Sequence, residues 1–208
     1  MPEKPQLQWF APDQNSWRVR LLDVRPVTQT MISTSSDPQC AANALSFARD
    51  DGRSFIGAPS IAPRTVQTIL RYRRPAPLSD GALFRPAMME HKWALFYLQR
   101  RILCVRSWQR KVFVIAETMD AGEFLDVVRL QGAFDEEQES EDYTVRFFDF
   151  LMRSHALGLE WPAPLPQGEE QDAWRAAMWC FSCFGNMVTC ATPDAIPAGI
   201  PDEMLRSS

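Results

Sequence analysis

Three short runs of strand-forming residues follow one another between His91 and Glu117, and this stretch constrains the fold more than any other part of the chain. If Gln99-Arg100 forms a turn, the first two runs pair as antiparallel strands in which Trp93 faces Arg106. The turn lacks the Gly, Asn or Asp that two-residue hairpins favour. Both faces of the pair are apolar, whereas a sheet with one free face shows polar alternation. We therefore expect a central antiparallel sheet that is covered on both faces.

Patterns elsewhere predict an α+β fold with an antiparallel sheet of about five or six strands and helices packed on it. Alternation and β-branched residues predict strands at 17–24, 65–73, 111–117 and 187–192. Residues 124–134 are compatible with a helix or a strand, and Val127, Val128 and Gly132 favour the strand. Apolar periodicity and end signals predict helices at 38–49, 139–156 and 169–184. We expect strand 17–24 to join the main sheet, strand 124–134 to bulge at Gly132, and 187–192 to be an edge strand.

The whole chain, residues 1–208, is expected to form one domain, with an irregular lead-in over 1–16 and an irregular tail over 193–208. Asp37-Pro38 predicts the start of the first helix, because aspartate caps helix N-termini and proline suits the first turn. The hydroxyl-rich loop 28–36 before it raises the alternative of a phosphate site, although the capping carboxylate already supplies negative charge there.

Composition indicates a soluble protein, with 46% hydrophobic and 23% charged residues and no apolar run near the ~18 residues of a membrane span. The N-terminus has no secretory signal pattern, so we expect a cytoplasmic protein. Five cysteines lie in apolar surroundings, which favours reduced thiols over a disulfide framework.

Charge is distributed unevenly along the chain. Residues 1–115 carry 17 Lys+Arg and 8 Asp+Glu, whereas residues 116–208 carry 5 and 18. One interpretation is a charged surface that attracts a partner of opposite charge. The other is that the acidic half folds against the basic half and the two neutralise each other.

The residues Lys92-Trp93 and Arg106-Ser107-Trp108 bracket the central hairpin. A hairpin that begins Lys-Trp and ends Arg-Ser-Trp resembles one found in small uncharacterised bacterial proteins. The resemblance covers this hairpin alone, and those proteins usually continue with a Thr-Gly turn where this chain has Gln109-Arg110. It supports the strand meander and implies no activity.

Motifs for common cofactors do not occur: there is no Gly-x-Gly-x-x-Gly, P-loop, His-Glu-x-x-His or calcium loop, and we predict no cofactor and no metal. Cys180, Cys183, Cys190 and His155 together suggest a zinc set, but Cys180 and Cys183 lie within an apolar helix and lack paired knuckle spacing. Cys183 and His155 remain the candidates for a reactive group.

The Arg106-Ser107-Trp108 corner is the strongest site candidate. One interpretation is structural, with Arg106 stacked on Trp93 as a cation–π pair. The functional interpretation is an arginine-rich sheet face that binds carboxylate or phosphate groups. Its members would be Arg106, Arg18, Arg20, Arg71 and Arg73. Single-stranded nucleic acid also suits interleaved arginines and aromatics, but the net charge of −4 disfavours it.

The leading hypothesis is a non-enzymatic bacterial binding or regulatory protein that acts through a charged surface on another protein. The alternative is a small enzyme whose arginines hold an anionic substrate near His155 or Cys183. The predicted partners are accordingly a protein or a small anionic ligand, without a membrane; the oligomeric state stays open.

Overall fold

The computed structural model describes residues 6–74, 76–135 and 139–196. The fold is α+β, as predicted. Its strands are β1 Gln8–Phe10, β2 Leu21–Asp23, β3 Thr65–Arg73, β4 Gly81–Phe84, β5 Trp93–Leu98, β6 Arg101–Arg106, β7 Lys111–Ala121, β8 Phe124–Gly132, β9 Ala163–Pro164 and β10 Cys190–Thr192. Its α-helices are α1 Arg25–Thr28, α2 Pro38–Leu45, α3 Glu141–Phe150 and α4 Ala173–Phe184.

The chain divides into two compact units. Residues 34–149, the sheet unit, contain an antiparallel sheet with the strand order β3-β8-β7-β6-β5-β4. Residues 1–33 and 150–208, the terminal unit, contain a sheet with the order β1-β2-β10-β9. The predicted single domain over 1–208 stays a prediction.

The central hairpin has the predicted register, with Trp93 opposite Arg106, and β5 is buried along its whole length. Gln99 and Arg100 take φ values of 50° and 62°, which are the left-handed conformations of a type I′ turn. The surrounding structure holds this turn without glycine. The backbone N–H of Gln99 donates to Asp80, and both the N–H and the hydroxyl of Thr118 donate to the Arg100 carbonyl.

β7 and β8 form a long hairpin that lies between the edge strand β3 and the strand β6. The predicted strand over 124–134 is confirmed as β8, but the bulge predicted at Gly132 is wrong. The extra residue is Val128, because Arg129 pairs with Glu117 while Val127 pairs with Thr118. Gly132 instead permits a close approach: its φ is 113°, and a Cβ there would collide with the carbonyl oxygen of Phe113.

Aromatic side chains cover one face of the six-stranded sheet. Phe47 and Phe55 pack on Phe96 with ring centroids 6.2 and 5.7 Å away. Phe47 lies in a 3₁₀ turn, Ser46–Arg49, that continues α2, so the helix predicted over 38–49 is α-helical only to Leu45. Its predicted cap is confirmed, since the Asp37 carboxylate accepts the Gln39 N–H at 2.9 Å.

The helix α3 covers the opposite face. Phe147 lies edge-on to Trp93 with centroids 5.6 Å apart, and the Tyr72 hydroxyl donates to Asp149 at 2.9 Å. The helix predicted over 139–156 is therefore confirmed in its main part; a π-helical segment, Leu151–Ala156, follows α3 within the terminal unit. The expectation that both faces of the central hairpin are covered is confirmed.

The terminal unit corrects three predictions from the sequence. The strand predicted over 17–24 is only β2, and it belongs to the smaller sheet, not the main one. Arg18 has a φ of 54°, which interrupts the extended conformation ahead of β2. The irregular lead-in contains β1, which pairs with β2, and β10 is not an edge strand because it lies between β2 and β9.

The helix predicted over 169–184 is confirmed as α4, preceded by a 3₁₀ turn at Glu169–Gln171. The Asp172 carboxylate caps α4 by accepting the backbone N–H groups of Trp174 and Arg175, and Gly185 ends it with a φ of 68°. Most of the predicted tail, residues 197–208, lies outside the described residues. No helix in the described ranges has the length and apolar character required to cross a membrane.

Candidate functional site

The predicted contact between Arg106 and Trp93 is confirmed. These residues are directly opposite on β6 and β5, and the guanidinium carbon lies 4.9 Å from the Trp93 ring centroid. Trp93 itself is buried, with Phe113, Phe134 and Phe147 edge-on around it. The stack therefore joins a surface cation to the aromatic core between the sheet and α3.

Ser107 has no exposed surface. Its N–H donates to the Lys92 carbonyl at 2.9 Å, and its hydroxyl donates to the His91 carbonyl at 2.7 Å. A serine whose hydroxyl is buried and donates to a backbone carbonyl is poorly placed to attack a substrate. The observed role of Ser107 is to extend the β5–β6 ladder by one more connection.

Trp108 and Lys92 meet over a shared acceptor. The Trp108 indole N–H donates to the Met89 carbonyl at 2.8 Å, and the Lys92 ammonium donates to the same oxygen at 3.2 Å. The Lys92 Nζ also lies 4.0 Å from the Trp108 ring centroid, within cation–π range. The loop before β5 is thus held against the turn after β6.

Burial changes the acid–base properties of this corner. Desolvation, with Arg106 nearby, lowers the pKa of Lys92 from an ordinary value of 10.5 to about 8. Desolvation also lowers the pKa of His91, which is half-buried. The His91 Nδ1 accepts the Ala87 N–H at 3.1 Å, and its ring lies against Phe84.

The turn after β6 is also fixed from the opposite side of the sheet unit's core. The Asn43 amide donates to the Trp108 carbonyl at 2.8 Å. Arg110 lies 4.5 Å from the Phe47 ring centroid and forms an ion pair with Asp50 at 2.6 Å. We name the group His91, Lys92, Trp93, Arg106, Ser107 and Trp108 the tryptophan corner. Its contacts are those of a structural clamp that connects the hairpin to the loops on both sides.

Arg71 and Arg73 lie far from the tryptophan corner. Arg71 is level with Met119 along the strand register, whereas Arg106 is level with Lys111, a separation of about 25 Å along β7. Arg71 donates two hydrogen bonds to Asp126, at 2.7 and 2.8 Å, and Arg73 pairs with Glu123 at 3.7 Å. The structure therefore does not bring Arg71 and Arg73 together with Arg106.

Arg18 and Arg20 belong to the terminal unit. Arg18 is exposed in the turn ahead of β2, and the Arg20 guanidinium lies 4.5 Å from the Trp9 ring centroid. The backbone N–H of Arg20 donates to Asp194 at 2.8 Å. Within this unit the two arginines flank the small sheet.

His155 and Cys183 are also in the terminal unit. His155 is buried on the π-helical segment, with its Nδ1 2.6 Å from the Ser154 hydroxyl and its ring 5.9 Å from Phe150. Cys183 is half-buried on α4, and burial raises the pKa of neighbouring Cys180. Within the described ranges no group of three or more His, Cys, Asp or Glu side chains is placed to hold a metal ion.

The two oppositely charged halves of the sequence meet in the sheet unit. Residues 34–149 carry 15 Lys+Arg and 16 Asp+Glu. Ion pairs join basic residues of the first half to acidic residues of the second: Arg71 to Asp126, Arg73 to Glu123 and Arg74 to Asp120. The interpretation of mutual neutralisation is supported, and the surface is mixed in charge.

On one part of the sheet, no layer of side chains from the described residues covers the surface. We call it the open face, and it lies on β3, β7 and β8 on the side opposite Tyr72. Its members are Gln67, Ile69, Arg71, Arg73, Glu117, Met119, Asp126 and Arg129. Within it Ile69 is 84% exposed and Met119 is 54% exposed.

Ion pairs order the polar part of the open face. Arg71 holds Asp126, and this contact lowers the pKa of that carboxyl. Arg129 pairs with Glu117 across the β7–β8 hairpin. Alternating cations and carboxylates thus surround two exposed apolar side chains, Ile69 and Met119.

Sequence reasoning missed both Lys92 and the open face. Lys92 precedes a fully buried strand, a position that signals a partly buried cation. Met119 follows the predicted end of its strand at Glu117, so its exposure on a longer β7 had no signal in the predicted boundaries. Comparisons with family models, with curated proteins and with solved structures gave no match to this chain. The resemblance of the Lys92–Trp108 hairpin to bacterial proteins stays a prediction.

Proposed function

We propose that the chain is a non-enzymatic binding protein that engages another protein through the open face of its sheet unit. The observation that carries the proposal is the exposure of Ile69 and Met119 within a framework of arginine–carboxylate pairs. Single exposed apolar residues are ordinary on protein surfaces, but here two of them share one sheet face that no layer within the described ranges covers.

The geometry of the face favours association. Arg71 is held by a two-pronged contact with Asp126, and this restricts both side chains before any partner arrives. Ordered side chains lose less conformational entropy on binding, so more of the contact energy appears as affinity. A surface of mixed charge suits a partner whose charges are complementary to it. Such complementarity gives specificity and raises the association rate more than the affinity.

The free cysteines bear on the cellular compartment, and the contacts of Ser107 and the arginines bear on the alternative function. All five cysteines are free thiols, which supports a reducing setting such as the cytoplasm. The alternative of an enzyme with an arginine-held anionic substrate has less support: Ser107 is buried, and Arg71 and Arg73 already hold carboxylates.

The test is affinity capture from an extract of the native host with four immobilised proteins: wild type, Met119→Glu, Arg129→Glu and Arg53→Glu. The first two variants alter the open face. Arg53 is 74% exposed on a separate turn, so Arg53→Glu controls for charge reversal alone. We expect a partner retained by wild type and Arg53→Glu, reduced at least tenfold by the open-face variants, and released as ionic strength rises.

Two results would contradict the proposal. One is the absence of any partner at every ionic strength. The other is a partner that Met119→Glu and Arg129→Glu retain as well as wild type does. Thermal unfolding of each variant checks that the fold is intact, which is expected because all three substituted side chains are at least partly exposed.

A further inference from the structure

β3 is an edge strand of the six-stranded sheet. It is nine residues long and pairs with β8 on one side, and no strand among the described residues pairs with its other side. An edge strand presents backbone N–H and C=O groups that can pair with another strand, and natural proteins usually protect such an edge. The other edge strand, β4, has four residues and offers a much shorter template.

The direction of the free backbone groups follows from the two ends of β3. The Arg64 carbonyl accepts the Gly132 N–H at 2.8 Å, and the Arg74 N–H donates to the Glu123 carbonyl at 2.8 Å. Backbone groups alternate in direction along an antiparallel ladder, and on both sides of the register shift between Gln67 and Leu70 the even-numbered residues face β8. The odd-numbered residues from Thr65 to Arg73 therefore direct their backbone groups to the free edge.

Ile69 lies at the middle of this edge. Charge at the centre of an edge strand is a common protection, but here the central residue is apolar and is the most exposed large hydrophobic side chain in the described residues. The β3–β8 pairing has a register shift between Gln67 and Leu70. This irregularity places neither a proline nor a charged side chain at the centre of β3, so it does not provide the usual protection of an edge strand.

The sequence of β3 is compatible with antiparallel pairing to itself. A two-fold axis at Ile69 is the one register that pairs all nine residues, with Arg71 opposite Gln67 and Arg73 opposite Thr65 of the second copy. Each arginine then faces a neutral polar residue, and a glutamine oxygen can accept from a guanidinium. A shift of the axis to Arg71 places like charges directly opposite each other and shortens the pairing.

We propose that the chain forms a two-fold symmetric dimer in which β3 pairs antiparallel with β3 of a second copy, with the axis at Ile69. The free-edge groups of the odd-numbered residues meet one another in this register, so they hydrogen-bond across the axis. The contact is self-complementary, as a two-fold interface requires, and it joins two six-stranded sheets edge to edge. Ile69 belongs both to this edge and to the open face, but the dimer is tested with the purified chain alone, so its failure is distinguishable from failure of the proposed binding function.

Sedimentation of the purified full-length chain tests the dimer. We expect the mass to rise with concentration, from micromolar to millimolar, toward twice 23.8 kDa. Ile69→Lys puts two ammonium groups at the axis and should weaken the dimer at least tenfold. Met119→Lys makes the same change at an exposed site in β7, away from the edge, and should leave the dimer unchanged.

Disulfide trapping gives a second readout. Directly opposed residues in a hydrogen-bonded antiparallel pair have Cα atoms about 5.5 Å apart, within the span of a disulfide. Under oxidised glutathione, Ile69→Cys should form a covalent dimer, whereas Met119→Cys and the wild type should not. A wild type that stays monomeric, an Ile69→Lys dimer as tight as wild type, equal loss in Met119→Lys, or no trapping of Ile69→Cys would each overturn the proposal.

Discussion

Lys92 holds its ammonium group 4.0 Å from the centre of the Trp108 ring, with the Met89 carbonyl as its hydrogen-bond acceptor. A buried ammonium loses hydration, and contacts with the protein replace only part of it. The pKa of Lys92 is accordingly lowered to about 8. The tryptophan corner is therefore a set of hydrogen bonds and ring contacts around a lysine whose charged form is disfavoured by burial.

The lowered pKa predicts how stability depends on pH. Below the folded value of about 8 Lys92 is charged in both states, and the full desolvation cost opposes folding. Between about 8 and 10.5 the unfolded chain binds more protons, so the free energy of unfolding rises with pH. Relative to Lys92→Met, the wild type should gain up to about 3 kcal/mol over this range.

Urea unfolding of both proteins at a series of pH values measures this difference. Groups other than Lys92 titrate in both proteins, so their effects cancel in the comparison. A difference in unfolding free energy that stays constant across the range would show that Lys92 keeps its ordinary pKa.

Single residues show how far the candidate site was predictable. The stack of Arg106 on Trp93 follows from the strand register, which the apolar pattern of the hairpin defines. Lys92 and Ser107 depend on carbonyl groups of Met89 and His91, and loop carbonyls have no sequence signature. Their roles therefore became visible only in the folded chain.

The β5–β6 hairpin is the element in which local preference and tertiary structure conflict most. Its turn residues, Gln99 and Arg100, hold φ values of 50° and 62°, which side chains with a Cβ adopt at a cost. Burial on both sides of the hairpin and the contacts of Thr118 and Asp80 overcome that cost.

Replacing the turn by its preferred residues should stabilise the protein. The double variant Gln99→Asn, Arg100→Gly keeps the backbone contacts and removes the strain, so the free energy of unfolding should rise by about 1 kcal/mol. The control Gln99→Ala, Arg100→Ala removes the same side chains without favouring positive φ, and it should not stabilise. Thermal or urea unfolding compares them, and equal stability of both variants would contradict the account of the turn.

Long elements were predictable and short ones were not. The nine residues of β3 show clear alternation, and α3 and α4 have capping or acidic residues near their starts. β1 has three residues, too few to show a period. Alternation also does not specify a partner strand, which is why β2 was predicted in the wrong sheet.

For the whole molecule, the uneven charge along the sequence becomes a balanced surface in the sheet unit. Arg71, Arg73 and Arg74 of the basic half each hold a carboxylate of the acidic half. The exposed pairs of Arg71 and Arg73 contribute little to stability, because solvent screens them. On the open face, the Arg71–Asp126 and Arg129–Glu117 pairs order the charge around Ile69 and Met119. We propose this pattern as the binding surface.

The most direct test of the open face is oxidation footprinting of two methionines. Met119 lies on the face, whereas Met88, 41% exposed, lies outside it and serves as the internal control. Peroxide converts exposed methionine to sulfoxide, which mass spectrometry quantifies at each site. In the complex with a captured partner, we predict that Met119 oxidises several-fold more slowly than in the free protein while the rate at Met88 is unchanged. Equal oxidation of Met119 in the free and bound protein would contradict the assignment of the open face as the binding surface.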